Sequence, residues 1–279
     1  MTAPLGITGS TGLLGGRVAR QLSDAGANQR LIVRDASRAP ELPGAEIAVA
    51  SYGDGAASVS ALRGIGTLFM VSGSETPDRV RQHLAFIDAA VAAGVERIVY
   101  LSFYGAAPDA TFTLARDHWA TERQLRACGL RYVILRDNLY ADFLPQMVGP
   151  DGVIRGPAGD GRVAAVAQDD IADVLVAVLG DPATHDGATY DLTGPQSLTF
   201  DEIAATLSAH RGSPVGYHSE SLAEAYASRA SYCAPPWQLD AWVSTYTAIA
   251  AGELAKVTSD VAELTGHPAR SLAALLDRS

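Results

Sequence analysis

The sequence predicts a doubly wound α/β fold on a parallel sheet, followed by a smaller, mostly helical C-terminal lobe. Three observations predict it. Glycines 9, 12 and 15 stand three apart, between a short apolar run at 4–7 and an amphipathic stretch at 13–22. Short apolar runs then alternate with helix-patterned stretches through the first half of the chain. Those runs are continuously apolar, as strands are when helices cover both faces of their sheet.

The first strand is Leu5–Thr8. The glycine-rich turn after it needs backbone angles closed to other residues, and it lets a pyrophosphate lie against bare backbone. Free N–H groups and the positive end of the following helix would hold the phosphates. Gly9, Ser10, Thr11, Gly12, Leu13 and Leu14 are therefore candidate dinucleotide contacts. The remaining strands are expected at 30–33, Glu46–Val49, Thr67–Val71, 97–101 and 131–135, with helices at 13–25, 56–63, 77–93 and 115–127. Such alternation makes residues 1–150 a Rossmann-type NAD(P)-binding domain, with ligands expected beyond the carboxyl ends of the strands.

After about residue 145 the pattern loosens. A Gly/Pro-rich stretch at 149–161 precedes a helix opened by Asp169 and Asp170 and running to about Leu179. Residues 188–192 read as a strand able to return to the main sheet. Helices at 198–211, 221–228, 238–251 and 259–264 complete a substrate lobe over 151–279.

Composition excludes several classes. The 279 residues are 48% hydrophobic and 19% charged, enough for one large core or a core and a smaller lobe. No apolar run of membrane-spanning length and no basic-then-apolar leader is present, so neither a membrane span nor secretion is expected, and the location expected is the cytoplasm. The net charge of −10, with no basic run, speaks against a nucleic-acid surface. Cys128 and Cys233 are too few for a disulfide framework or a metal cluster and read as two buried thiols. Assembly as a homodimer is left open.

The strand at 30–33 leads into Arg34 and Asp35. A carboxylate at this tip suits the ribose hydroxyls of NAD, whereas an arginine suits the 2′-phosphate of NADP, which a guanidinium grips bidentately. Arg34 therefore points to NADP(H), with Arg38 as a second charge, and Asp35 keeps NAD(H) open; an ordinary charged loop is the plainer alternative. Ser72, Gly73 and Ser74 follow the strand Thr67–Val71 as small residues where backbone would pass the bridging ribose and nicotinamide. The same segment also reads as a helix cap before Pro77.

Ser102, Phe103 and Tyr104 follow the next strand. In reductases with this nucleotide fingerprint, a serine here works with a Tyr-x-x-x-Lys pair on the following helix. No such pair exists in this chain, whose one lysine is Lys256, four residues after Gly252. The matching helix reads Asp117-His118-Trp119-Ala120-Thr121-Glu122. His118 is the candidate catalytic group, one turn from Glu122, though a helical histidine beside tryptophan also reads as packing or surface. After 131–135, Asn138 suits a carboxamide and Tyr140 a pocket wall, or packing between lobes.

The missing pair has chemical meaning. Hydride reduction of an ordinary carbonyl leaves a basic alkoxide that wants a positioned acid. Reduction of a quinone leaves an oxyanion of pKa roughly 10, by comparison with tyrosine, which solvent can protonate. The pattern fits hydride transfer to an electron-poor ring.

Gly6-x-Thr8-Gly9-Ser10-Thr11-Gly12-Leu13-Leu14-Gly15, Val33-Arg34-Asp35, Tyr52-Gly53-Asp54, Ser72-Gly73-Ser74-Glu75, Asp117-His118-x-x-Thr121-Glu122, Leu135-Arg136-Asp137-Asn138-x-Tyr140 and Ala158-Gly159-Asp160-Gly161 together resemble the NmrA-like atypical short-chain dehydrogenases. The resemblance is strongest to the NADPH:quinone oxidoreductase type 2 branch, and it extends to Gly266-His267-Pro268. Ser51 stands where that pattern has an aspartate near the adenine, and Asp137 where it has an asparagine. The resemblance implies an NADPH-binding domain, a smaller lobe with a substrate cleft between the two, and reduction of a quinone or similar flat acceptor walled by Phe103 and Tyr104. It also implies an alternative, because some relatives bind NADP(H) as redox sensors without evident turnover.

Overall fold

A computed structural model describes residues 3–278. In chain order the first elements are β1 (Leu5–Thr8), α1 (Leu13–Asp24), β2 (Gln29–Val33), β3 (Glu46–Val49), α2 (Gly55–Leu62), β4 (Thr67–Val71), α3 (Arg79–Ala93), β5 (Arg97–Phe103), α4 (Thr113–Ala127) and β6 (Arg131–Asp137). Then follow β7 (Val153–Gly156), β8 (Arg162–Val163), α5 (Gln168–Gly180), β9 (Thr189–Leu192), β10 (Leu198–Thr199), α6 (Phe200–Arg211), β11 (Gly216–Ser219), α7 (Leu222–Arg229), α8 (Pro236–Ala250), α9 (Asp260–Thr265) and α10 (Leu272–Leu276).

The main sheet has seven strands in the order β3-β2-β1-β4-β5-β6-β9. The pairs β1–β2, β2–β3, β1–β4 and β4–β5 are parallel. The order reverses direction between β1 and β4, the switch point where a doubly wound sheet opens a crevice at its strand ends. The expected doubly wound architecture is therefore present, and residues 188–192 do return to the sheet as β9.

The chain divides into two compact units that do not follow a cut after residue 150. Of the described residues, one comprises 3–102, 117–136 and 171–190; the other comprises 103–116, 137–170 and 191–278. The loop after β5 and the segment after β6 thus belong with the C-terminal residues, because a unit is defined by packing and the chain crosses over at the strand ends. The first unit buries Leu62, Leu68, Met70, Phe86, Ile87, Ile98 and Tyr100 in one cluster. The second buries Phe200, Ile203, Leu207, Tyr246 and Ile249 in another, with Phe200 stacked on Tyr217 at 5.1 Å between ring centroids. Besides its helices the second unit holds two two-stranded sheets, β10–β8 and β11–β7. Cys128 is half-buried, but Cys233 is exposed and left-handed (φ 50°), because it ends the short 3-10 turn Ala230–Tyr232. It is not the buried thiol expected.

The glycines of the first turn divide their work. Gly9 adopts φ +71°, a region costly for other residues. A Cβ at Gly15 would lie 2.3 Å from the Gly9 carbonyl oxygen and 2.6 Å from its carbon, so α1 packs directly on the turn. Alanine at 15 would gain up to about 1 kcal/mol of helix propensity, against about 1–3 kcal/mol or more for forcing an atom into packed backbone. The clash wins. Gly15→Ala is expected to lower the thermal unfolding midpoint by several degrees, measured by circular dichroism; an unchanged or raised midpoint would refute the contact.

Candidate functional site

The carboxyl ends of β1 to β4 enclose a cleft of about 460 Å³, within the range of small-molecule sites. Thr8, Gly9, Thr11 and Gly12 line it from β1, and Ile32, Val33 and Arg34 from β2. Ala50, Ser51, Tyr52 and Gly53 follow β3, and Val71, Ser72, Gly73, Ser74 and Thr76 follow β4.

Gly12 is the N-cap of α1 and has no side chain to cap it, and the first turn of α1 carries no acidic residue. The helix N-terminus therefore keeps donors and positive potential for an anion. A Cβ at Gly12 would meet only the Gly9 carbonyl oxygen, at 3.4 Å, so the protein itself does not demand glycine there. Leu13 turns its side chain to solvent and Leu14 buries its own. Ser10 is buried, its hydroxyl without a hydrogen-bond partner among the described residues.

The floor of the cleft is a hydrogen-bonded knot. Thr8 Oγ1 donates to the Phe69 carbonyl at 3.2 Å and accepts from the Val71 N–H at 2.9 Å. The Tyr52 hydroxyl lies 2.8 Å from Thr8 Oγ1 and donates to the Val71 carbonyl at 2.5 Å, and its ring stacks on Phe86 at 4.2 Å. Arg34 enters the cleft exposed, with no hydrogen bond or ion pair among the described residues. The Asp35 carboxylate instead caps the short turn Ala36–Arg38, accepting from the Ser37 N–H at 2.9 Å and the Ser37 hydroxyl at 2.7 Å. Those bonds hold it below the usual carboxylate range.

Gly73 is held from behind by α3. Its N–H donates to His83 Nε2 at 2.7 Å, and its carbonyl accepts from Arg79 Nε at 3.0 Å. Because Gly73 N–H can only donate, His83 Nε2 must accept and its proton sits on Nδ1, 2.8 Å from Thr121 Oγ1. Burial, then the Arg79 charge, pushes the His83 imidazole down to about 3.

His118 is wired the same way. Arg79 donates to its Nε2 at 2.9 Å, so Nδ1 carries the proton and donates to the Tyr100 hydroxyl at 2.9 Å. Burial first, and then the positive charge of Arg79, drives its pKa well below the ordinary value. Both ring nitrogens of His118, the catalytic candidate of the sequence, are thus engaged with neighbours inside the first unit. Ser102 donates to Glu122 Oε1 at 2.7 Å, and Arg136 grips the same fully buried carboxylate at 2.8 and 2.7 Å. Arg126 adds a contact at 2.9 Å. Burial would raise Glu122, but these donors outweigh it and keep the group ionised.

In the second unit the structure puts Asn138 to a different use from the carboxamide contact expected. The side chain is fully buried, its amide donates to the Leu254 carbonyl at 3.1 Å, and its oxygen accepts from the Leu139 N–H at 2.8 Å. Tyr140 is half-buried and donates to Asp137 Oδ2 at 2.7 Å. Burial pushes the Asp137 carboxyl up to about 8. Tyr104 is buried in the apolar cluster, and Phe103 is half-buried edge-on to Phe112 at 4.9 Å.

Sequence reasoning missed Arg79, His83, Thr76 and Gln82. A signal existed for two of them: the buried stripe of α3 at Phe86, Ile87 and Ala90 extends backwards one and two turns to His83 and Arg79. Polar residues on a core-facing stripe need partners there.

The profile of the NmrA-like family matches residues 1–229. The chain is 34% identical over 276 residues to quinone oxidoreductase 2 of Escherichia coli, covering 96% of each. It is 32% identical over 272 residues to the NAD(P)H azoreductase of Xenophilus azovorans, covering 96% of this chain and 94% of that one. A solved structure of the Escherichia coli NADPH-dependent quinone oxidoreductase complexed with NADPH superposes with a TM-score of 0.90 at 32% identity, over 98% of this chain and 99% of that one.

Buried, neutral His83 sets an acid response. Folding lowers its pKa, so between pH 6.5 and about 3 the unfolded chain binds a proton that the folded chain refuses. Its contribution is present above pH 6.5 and lost as pH falls, at about 1.4 kcal/mol per pH unit. The unfolding midpoint of His83→Gln is expected to fall less between pH 7 and pH 5 than that of the wild type. Parallel pH curves would refute the assignment.

Proposed function

The chain belongs to the NmrA-like family, and from that premise we propose that it is an NADPH-dependent oxidoreductase that transfers hydride to a quinone or similar flat, electron-poor acceptor. The observation that carries the reading is the glycine cradle at the head of α1, opening into a cleft that Arg34 enters without an ion-pair partner among the described residues. The residues fit the cofactor. The α1 N-terminus, with Gly9, Thr11 and Gly12, would receive the pyrophosphate, Arg34 the 2′-phosphate, and Ser72 and Ser74 the far ribose. With Asp35 engaged on Ser37, NADP(H) is preferred and NAD(H) remains a weaker ligand. Bound there, the cofactor supplies a hydride.

The acceptor class follows from the missing Tyr-x-x-x-Lys pair. Ser102, Glu122 and His118 occupy the places of the usual Ser and Tyr-x-x-x-Lys, and each is engaged with a neighbour in the first unit. An aliphatic alkoxide, near the basicity of hydroxide at roughly 16, would need an acid. A hydroquinone anion at roughly 10 would not. Catalysis then rests on placing the acceptor ring against the nicotinamide. The reading includes a small-molecule partner rather than nucleic acid, a cytoplasmic location, and a monomer or homodimer separable by light scattering. No described helix is long and apolar enough to cross a membrane.

Steady-state oxidation of NADPH against benzoquinones, naphthoquinones and aliphatic ketones tests the reading, with turnover expected for the quinones and little for the ketones. Tight NADPH binding with no quinone turnover would replace it with a redox sensor. Arg34→Ala is expected to weaken NADPH roughly 10- to 150-fold, the worth of about 1.5–3 kcal/mol for a charge-assisted contact, and to leave NADH nearly unchanged. Equal loss for both nucleotides in calorimetry would refute Arg34 as the 2′-phosphate contact.

A further inference from the structure

The wall of the cleft after β4 has no strand partner to fix it. β4 ends at Val71, yet both polar groups of Gly73 are bound, by two side chains of α3 rather than by backbone. We propose that His83 and Arg79 are positioning residues that hold the Gly73 peptide, and with it the 72–74 wall, in the orientation that binds the dinucleotide. It rests on the reading of the cleft as a dinucleotide site.

Each clamp is itself anchored. Arg79 is almost wholly buried and uses all three nitrogens: Nε on Gly73, one terminal nitrogen on the Asp117 carboxylate at 3.3 Å, the other on His118 Nε2. His118 acts through Arg79, its own position set by Tyr100. His83 is fully buried, edge-on to Tyr52 at 5.9 Å and to Tyr100 at 6.2 Å. The loop lies directly on its ring, since a Cβ at Gly73 would come within 3.2 Å of Nε2.

Thr121 supports the hydrogen bond that Gly73 requires of His83. Its hydroxyl donates to the Asp117 carbonyl at 2.8 Å, so its lone pair faces His83 and accepts from Nδ1–H. That fixes the tautomer in which Nε2 is an acceptor. In the other tautomer Nε2–H would point at Gly73 N–H, donor against donor, and the wall would move. A threonine on α4 therefore braces the cofactor wall through one imidazole. The charge facing His83 is Arg79, which disfavours protonation, so the clamp stays closed across the neutral pH range.

The test is NADPH affinity by calorimetry, with ¹⁵N shifts of the histidine rings in the full chain. In the wild type, His83 is expected to be protonated at Nδ1 and not to titrate between pH 5 and 8. His83→Gln, whose carboxamide oxygen can accept from Gly73 N–H, should bind NADPH within about threefold of wild type. His83→Leu should bind at least tenfold more weakly, and Thr121→Val, which leaves Nδ1–H without its acceptor while Gly73 N–H still requires Nε2 to accept, should weaken binding. Wild-type affinity in a folded His83→Leu, or equal loss in Gln and Leu, overturns the proposal. If His83→Leu does not fold, Thr121→Val decides, and wild-type affinity there overturns it equally. A wild type that binds no NADPH overturns the dinucleotide reading and the clamp together, an outcome distinct from undiminished binding by the variants.

Discussion

The contact between Gly15 and the Gly9 peptide is the constraint on which the cleft depends. It brings the first turn of α1 against the end of β1 with no side chain between them. Had that gap held even a methyl group, the helix would sit farther back, and its N–H groups would no longer face the mouth of the switch point. The three glycines thus divide three jobs: an otherwise costly backbone angle at Gly9, open space at Gly12 and helix packing at Gly15. Two of these act on the fold, and the third leaves the mouth of the cleft open.

Behind the cleft, the first unit buries several polar side chains, some ionised and some neutral. Glu122 is fully buried and ionised, because Arg136, Ser102 and Arg126 together compensate its lost hydration. His83 and His118 are buried and neutral, because each pairs its acceptor nitrogen with a donor and its proton with a hydroxyl. Burial penalises charge in both cases. Four donor nitrogens and hydroxyls on one carboxylate overcome the penalty; a nearby arginine, for an imidazole, adds to it.

Much of the first unit was legible because its strands are continuous apolar runs. The expected limits of β1, β3 and β4 coincide with the observed ones, and β5 and β6 merely run two residues longer. The short strands β7 and β11 were not legible, because Gly216–Ser219 is largely exposed and carries no apolar pattern. The unit boundaries were illegible for a different reason: residues 103–116 pack with residues far along the chain, and linear composition shows no break at 102. At the site, the turn and Arg34 could be read from position alone. His118 could not, because its role is set by Arg79, 39 positions away, and a helix pattern shows which face is buried but not what waits there. Asn138 failed likewise, since its partner is the Leu254 carbonyl.

The same buried network links architecture to the choice of acceptor. Where a ketone reductase needs a proton it can release, this first unit holds Arg136 and Arg126, which keep theirs, Glu122, which has none, and His118, whose proton rests on Tyr100. Freeing any of them would leave a buried charge or dipole unpaired, at about 1–3 kcal/mol or more for each. The basicity gap between an aliphatic alkoxide and a phenol-like oxyanion, about six pK units, corresponds to roughly 8 kcal/mol at about 1.36 kcal/mol per unit. A protein that ties up its polar groups to support a cofactor wall can give up that much acid assistance only if its acceptor carries the stabilisation itself, as an aromatic ring does when it delocalises the new charge.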